Sequence, residues 1–227
     1  MHTILTYRKT FLLSALLLLS SGCHLAMHEN VRGSGVREKQ KREVASFTTI
    51  AMDGGAFDID VVSQKPQSVE IEGDDNLLSL ITTEVFNNVL HIKSKGNFSV
   101  NDPIKLRISV PNLEKLAIDG AGKIEVSGLK NDKFEINCDG ASTIKVAGET
   151  RQLNIDTSGA GKIDARKLRA IRGQVESRGV ARVDVNVVEQ LDVTVSGPSH
   201  VTYEGDPVVD KTIHGPGSVS KKENEGS

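Results

Sequence analysis

Gly120-Ala121-Gly122-Lys123-Ile124, Gly140-Ala141-Ser142-Thr143-Ile144, Gly159-Ala160-Gly161-Lys162-Ile163, Gly179-Val180-Ala181-Arg182-Val183, Gly197-Pro198-Ser199-His200-Val201 and Gly215-Pro216-Gly217-Ser218-Val219 are six statements of one phrase. Their leading glycines advance by 20, 19, 20, 18 and 18 residues. A period near twenty marks a repeat in which each unit is one coil, too small to bury its own apolar face and stabilised by its neighbours. After each glycine, apolar residues alternate with polar ones, as in Ile124 and Val126, Ile144 and Val146, Ile163 and Ala165, and Val183 and Val185. A second alternating pair precedes it: Leu116 and Ile118, Phe134 and Ile136, Leu153 and Ile155, Leu191 and Val193. Period two puts one set of side chains inside and the other in water. Each coil therefore offers two inward-facing strands joined at a glycine corner, and successive coils stack as parallel strands about 4.8 Å apart. The expected fold is all-β, a solenoid of stacked parallel strands with coils of 18–20 residues.

Composition agrees with a narrow core. Aromatic residues make up 4% of the chain and Trp is absent, so the interior must be filled by Val, Ile and Leu. The net charge of −2 gives no nucleic-acid footprint.

Upstream, the rhythm continues once. Gly55-Ala56-Phe57-Asp58-Ile59 keeps the Gly, Ala and Ile of the phrase and reads as a first coil. Strand alternation also marks Val69-Glu70-Ile71, Val89-Leu90-His91-Ile92 and Ile104-Lys105-Leu106-Arg107-Ile108. Asn87-Asn88 between two such runs predicts a hairpin turn, and the Asp74-Asp75-Asn76 run before two leucines predicts at most one helical turn. This N-terminal part is less regular, as terminal units of stacked repeats are. The repeat domain is expected over residues 47–219, with a polar tail at 220–227.

Arg8 and Lys9, the apolar run from Phe11 to Leu19, and Ser20-Ser21-Gly22-Cys23 form a secretory signal over residues 1–22. The apolar run is too short to span a bilayer comfortably. Gly22-Cys23 resembles the lipobox of bacterial lipoproteins, although Ser20 stands where Leu is commonest. The resemblance implies cleavage between Gly22 and Cys23, lipidation of Cys23, and anchoring through the new N-terminus. His24 in place of Asp implies the outer rather than the inner membrane. Residues 23–46 hold Arg32, Arg37, Lys39, Lys41 and Arg42 against Glu29, Glu38 and Glu43, the composition of a flexible tether. With Cys23 lipidated, Cys138 has no partner for a disulfide and is expected as a small packed residue at a corner.

Outward positions of the repeat form two ladders. One runs through Lys123, Thr143, Lys162, Arg182 and His200, the other through Glu125, Lys145, Asp164, Asp184 and Thr202. The pairs Lys123 with Glu125, Lys162 with Asp164, and Arg182 with Asp184 set opposite charges side by side. This is either a solubilising face or a surface that recognises a polymer. The Gly-Lys pairs are not phosphate loops: a P-loop needs glycine five residues before its Gly-Lys and Ser or Thr after the Lys, where this chain has Ala117 and Ile124, or Asp156 and Ile163. No aromatic platform accompanies the ladders. Asp119, Asp139 and Asp156 lie near the corners, where turn chemistry favours Asp; a carbohydrate-active β-helix enzyme with a row of corner acids is the alternative. His200 and His214 fall at different phases of their repeats and supply too few ligands for zinc. No catalytic group, metal or cofactor is therefore assigned.

The secretion signal, the Gly-Ala-x-x-[Ile/Val] rhythm and Leu116-Ala117-Ile118-Asp119-Gly120-Ala121-Gly122-Lys123-Ile124-Glu125-Val126 resemble the putative autotransporter adhesin, head-GIN domain family. The resemblance covers about residues 47–219. It implies a right-handed parallel β-helix or β-solenoid in a bacterial cell-envelope adhesin, and it offers no catalytic motif. Together with the lipobox and the near-neutral charge, the expectation is a non-enzymatic envelope protein, membrane-bound through its N-terminal lipid, whose partner is a polysaccharide or another protein and not nucleic acid. A structural spacer that forms oligomers through its exposed ends is a third reading.

Overall fold

The computed structural model describes residues 30–222; Gly22, Cys23 and the signal segment lie outside the described residues. Strands follow in the order β1 (Val31–Arg32), β2 (Arg37–Lys41), β3 (Thr49–Ser63) and β4 (Ser68–Asp74), then a one-turn helix α1 (Asp75–Leu78). After it come β5 (Ile81–Phe86), β6 (Val89–Ser94), β7 (Phe98–Ser99), β8 (Ile104–Val110), β9 (Lys115–Cys138), β10 (Ala141–Thr157), β11 (Lys162–Ser177) and β12 (Arg182–Ser196). The last three are β13 (His200–Glu204), β14 (Val208–His214) and β15 (Ser218–Lys221). All but β1 and β7 belong to one 13-stranded sheet.

From β3 onward the long strands stack in parallel, β3 on β9, β9 on β10, β10 on β11 and β11 on β12. The repeat phrase sets the register: Ile59, Ile124, Ile144, Ile163, Val183, Val201 and Val219 lie one over the next. Every member of this column is buried. A second column, Phe134, Leu153 and Gly173, backs it, with Ile136, Ile155, Val175 and Val193 beside it. Aliphatic side chains stacked on their own kind at strand spacing leave few voids, which is how a core with few aromatic rings is filled. Gly55 begins the phrase one level earlier, since Ile59 pairs with Ile124.

The sheet is mixed: the repeat stacks in parallel, and antiparallel pairs occupy the less regular N-terminal part. On its outer edge β3 meets two shorter strands, β6 over Thr49–Asp53 and β8 over Phe57–Ser63. These in turn pair antiparallel with β5 and β4. The β5–β6 hairpin closes through Asn87 and Asn88 at φ 50° and 62°, the left-handed pair of a type I′ turn. Leu77 and Leu78 of α1 are buried beneath this antiparallel cap.

Residues 23–46 were expected as tether, yet Arg37–Lys41 forms the antiparallel edge strand on β4 and Val31–Arg32 pairs with β7. The reason lies in distant partners: the Arg37 guanidinium donates to the carbonyls of Glu72 and Pro103 and lies 3.6 Å from the buried Asp74 carboxylate. A buried carboxylate needs such a partner, and the strand supplies it. The expected tail also begins later, because β15 includes Ser220 and Lys221.

The corner glycines divide by cause. Gly55, Gly197 and Gly215 have positive φ (77°, 105° and 106°), whereas Gly120, Gly140, Gly159 and Gly179 do not. In the second group space decides: a Cβ on Gly140, Gly159 or Gly179 would fall on the carbonyl oxygen of the corner glycine one level below.

Candidate functional site

The outward faces of β3, β9, β10, β11 and β13 border a shallow groove of about 960 Å³ that crosses the strands. Asp60, Glu125, Asp164 and Glu204 line it together with Lys145, Lys162, Arg166 and Lys167. Strand register creates it. Asp58, Lys123, Thr143, Lys162, Arg182 and His200 form one column; Asp60, Glu125, Lys145, Asp164, Asp184 and Thr202 form the next.

Pairing within the columns follows geometry more closely than adjacency. Lys123 Nζ is 3.0 Å from Glu125 Oε1, and Lys145 Nζ reaches the same oxygen from the next strand at 3.3 Å. Hydrogen bonds from Lys123 and then Lys145 hold the Glu125 carboxyl below its ordinary range, and Glu125 raises Lys123 in return. Arg182 Nε lies 3.4 Å from the buried Asp184 carboxylate, while most of the arginine stays in solvent. The third adjacent pair, Lys162 with Asp164, does not close. Asp164 is instead gripped by Arg166, whose Nε donates to Oδ1 at 2.8 Å and Nη2 to Oδ2 at 2.5 Å.

Arg166 is the residue that a reading of the repeat misses. It stands where β11 slips against β12: Ala165 faces Val185, but the next partners are Arg169 and Asn186. Residues 166–168 are additional, Leu168 turning into the core while Arg166 and Lys167 border the groove. Asn186 Nδ2 fixes the bulge by donating to the Arg166 carbonyl at 3.2 Å. The one signal for it in the chain is that this coil, Gly159 to Gly179, is two residues longer than the next.

The side-chain hydrogen bonds of Arg166 depress Asp164 from 3.8 to about 2, and Asp164 raises Arg166. A carboxyl lowered on folding contributes stability that is present above its unfolded value and lost as pH falls through the folded one. Asp164→Asn should therefore cost about 1–2 kcal/mol at pH 7, after allowance for solvent screening. It should also flatten the loss of stability between pH 4 and pH 2 in acid titrations followed by circular dichroism. An unchanged slope would show that the pair is inert.

The corner acids separate. Asp139 stacks over Asp119, whose other neighbour is Asp53, through the Asp139 N–H to Ile118 carbonyl bond of 2.9 Å. Asp156 belongs to another column, opposite Asn137, and pairs with Arg178 at 2.7 Å. Ser158 takes the place over Asp139 and hydrogen-bonds to it. The row of three acids expected for an enzyme is thus not assembled, and no group of three or more metal-ligating side chains is placed to hold an ion among the described residues. Cys138 is buried and free beside this corner, and burial pushes its thiol up. His200 Nδ1 is 2.8 Å from Ser218 Oγ, and His214 lies at the end of β14. No helix among the described residues is long and apolar enough to cross a membrane.

Among known folds, a putative adhesin from Bacteroides fragilis NCTC 9343 matches with a TM-score of 0.69 at 23% identity, over 85% of this chain and all of that one. A putative adhesin from Parabacteroides distasonis ATCC 8503 matches at 0.57 and 22% identity, over 86% of this chain and all of its own. A putative lipid binding protein from the same strain matches at 0.56 and 19% identity with the same coverage. At these identities the likeness is one of fold. No curated protein matches the chain. The sequence model of the family described as "Putative auto-transporter adhesin, head GIN domain" matches residues 46–207, a span that takes in β3, the antiparallel cap and every level of the groove. With more than half of the chain inside the match, from β3 through β13, the chain belongs to the putative auto-transporter adhesin, head GIN domain family.

Proposed function

We propose that this protein is a non-enzymatic, lipid-anchored component of the bacterial outer membrane, held by Cys23, whose domain is a right-handed β-solenoid that binds a polar polymer. The observation that carries the reading is the groove across the stack. A ligand lying there meets side chains from several coils at strand spacing, an arrangement suited to a repeating chain and poorly suited to one small molecule. Its four acidic and four basic residues cancel, which disfavours nucleic acid, whose binding rests on neutralising phosphates. A neutral or zwitterionic polysaccharide fits better. Family membership and the likeness in fold to two putative adhesins point the same way.

Absence of catalysis is part of the reading. Glu125, Asp164 and Glu204 each have a cationic partner within 3.3 Å, and Glu125 and Asp164 are held low. General acid catalysis needs a carboxyl tuned upward.

The test uses purified full chain and a panel of immobilised envelope polysaccharides. Binding to at least one is expected, with about tenfold weakening in Lys162→Ala/Lys167→Ala, a loss of about 1.4 kcal/mol. Equal binding by the variant would remove the groove from the reading, and enzymatic release of reducing ends would replace it. In cells, Cys23→Ser should move the protein from membranes to the soluble fraction; a variant still bound after a high-salt wash would remove the anchor.

A further inference from the structure

The two ends of the stack differ. At the first, α1, β2, β4 and β5 cover the outer strands. At the other, β12 carries two short strands, β13 over its first half and β14 over its second. Then β15 covers β13, while β14 has no further partner among the described residues. Along β14 the side chains are almost all exposed, Val208 at 76% and Ile213 at 38%. Alternate N–H and C=O groups of a parallel strand point away from its single neighbour, so this edge can accept another strand.

Register gives the edge a specific character. Val209, Lys211 and Ile213 stand over Leu191, Val193 and Val195, the buried column of β12. Lys211 thus occupies a core-facing place that Val175 and Val193 fill on the two preceding levels. Asp210 and Thr212 stand on the outer face, over Asp192 and Thr194. An inward charge between two aliphatic residues deters an apolar strand and suits one that brings a carboxylate to the same level.

A second copy of this chain does not meet that need. A twofold axis between two β14 edges pairs residues whose numbers sum to an even total, because opposite side chains must share a face. That parity never sets Lys211 opposite Asp210: the registers centred on the charges pair Lys211 with Lys211 or Asp210 with Asp210, like-charge contacts that destabilise the pairing, and the shifted ones leave Lys211 opposite an uncharged residue.

We propose that the free edge of β14 is a docking site for an extended segment of a partner protein, which adds to the sheet as a parallel strand. The segment carries an acidic residue over Lys211, apolar residues two positions to either side over Val209 and Ile213, and a basic residue over Asp210. Backbone hydrogen bonds supply affinity and the Lys211 level supplies selection. This site is separate from the groove and does not depend on what the groove binds.

The probe is a labelled seven-residue peptide in which threonine and valine alternate, with aspartate at the centre and lysine just before it. Saturable binding to the full chain by fluorescence anisotropy is expected, with slowed hydrogen exchange confined to β14. A peptide with lysine in place of the aspartate should bind about tenfold more weakly, and Lys211→Glu should reverse that preference. The peptide comparison on the unaltered protein decides the matter even if the variant folds poorly. Equal binding of the two peptides, or none, would overturn the proposal. So would concentration-dependent dimerisation in light scattering with β14 protected, which would make a second copy the occupant.

Discussion

Gly140→Ala should lower stability by about 3–5 kcal/mol, the range reserved for changes that force packed backbone apart. The added methyl would fall on the Gly120 carbonyl oxygen and within overlap distance of the Gly120 nitrogen and carbonyl carbon. Those atoms are rigid backbone locked between two further levels, so neither side can relax cheaply. For a domain of this size the loss corresponds to a fall in melting temperature of roughly 10 °C. Gly96→Ala is the control: its φ of 79° is unfavourable for alanine, yet nothing lies within 4 Å, so about 1 kcal/mol is expected. Thermal unfolding of both variants separates the two causes. Equal shifts would mean that the stack yields at Gly140 as cheaply as a loop absorbs an unfavourable φ, and that close approach is not what keeps the glycine there.

Phe134→Ala is expected to cost about 3–5 kcal/mol, the transfer energy of a large ring plus the cavity it leaves. Phe134 is fully buried between the levels of β9 and β10, with Leu153 directly over it. Leu153 above it is held in place by the strand register and cannot easily move into the space. Phe86 supplies the contrast: at 69% exposed, beside the hairpin turn, its change to alanine should stay within about 0.5 kcal/mol. Urea titrations of the pair test this. A loss below 1 kcal/mol for Phe134→Ala would show that the stack closes over the gap.

Most of the repeat's register could be read directly. Lys123, Thr143, Lys162, Arg182 and His200 share a column because each follows its corner glycine by three residues, and parallel pairing preserves such counts. What could not be read is whatever breaks the count. The bulge that carries Arg166 adds residues inside one coil, and only a partner strand reveals where a surplus is absorbed. Asp156 was set beside Asp139 by its nearness to a corner, while the backbone bonds place Ser158 there. The edge strand Arg37–Lys41 was illegible for a different reason. Its charged sequence has the composition of a tether, and its place depends on Asp74, a residue far along the chain. Long-range antiparallel pairing leaves no local period to detect.

The parallel stack has a consequence for how the chain folds. From β10 to β15 every strand pairs with a strand that precedes it by about twenty residues. The long-range pairings, by contrast, are confined to the segment before Cys138, which emerges first. Once that segment has closed, each new strand meets a finished template and closes only a short loop, a cheap step in chain entropy. Folding can therefore advance in the direction of synthesis, one strand at a time. At no stage must an early strand wait for the last residues of the chain to arrive.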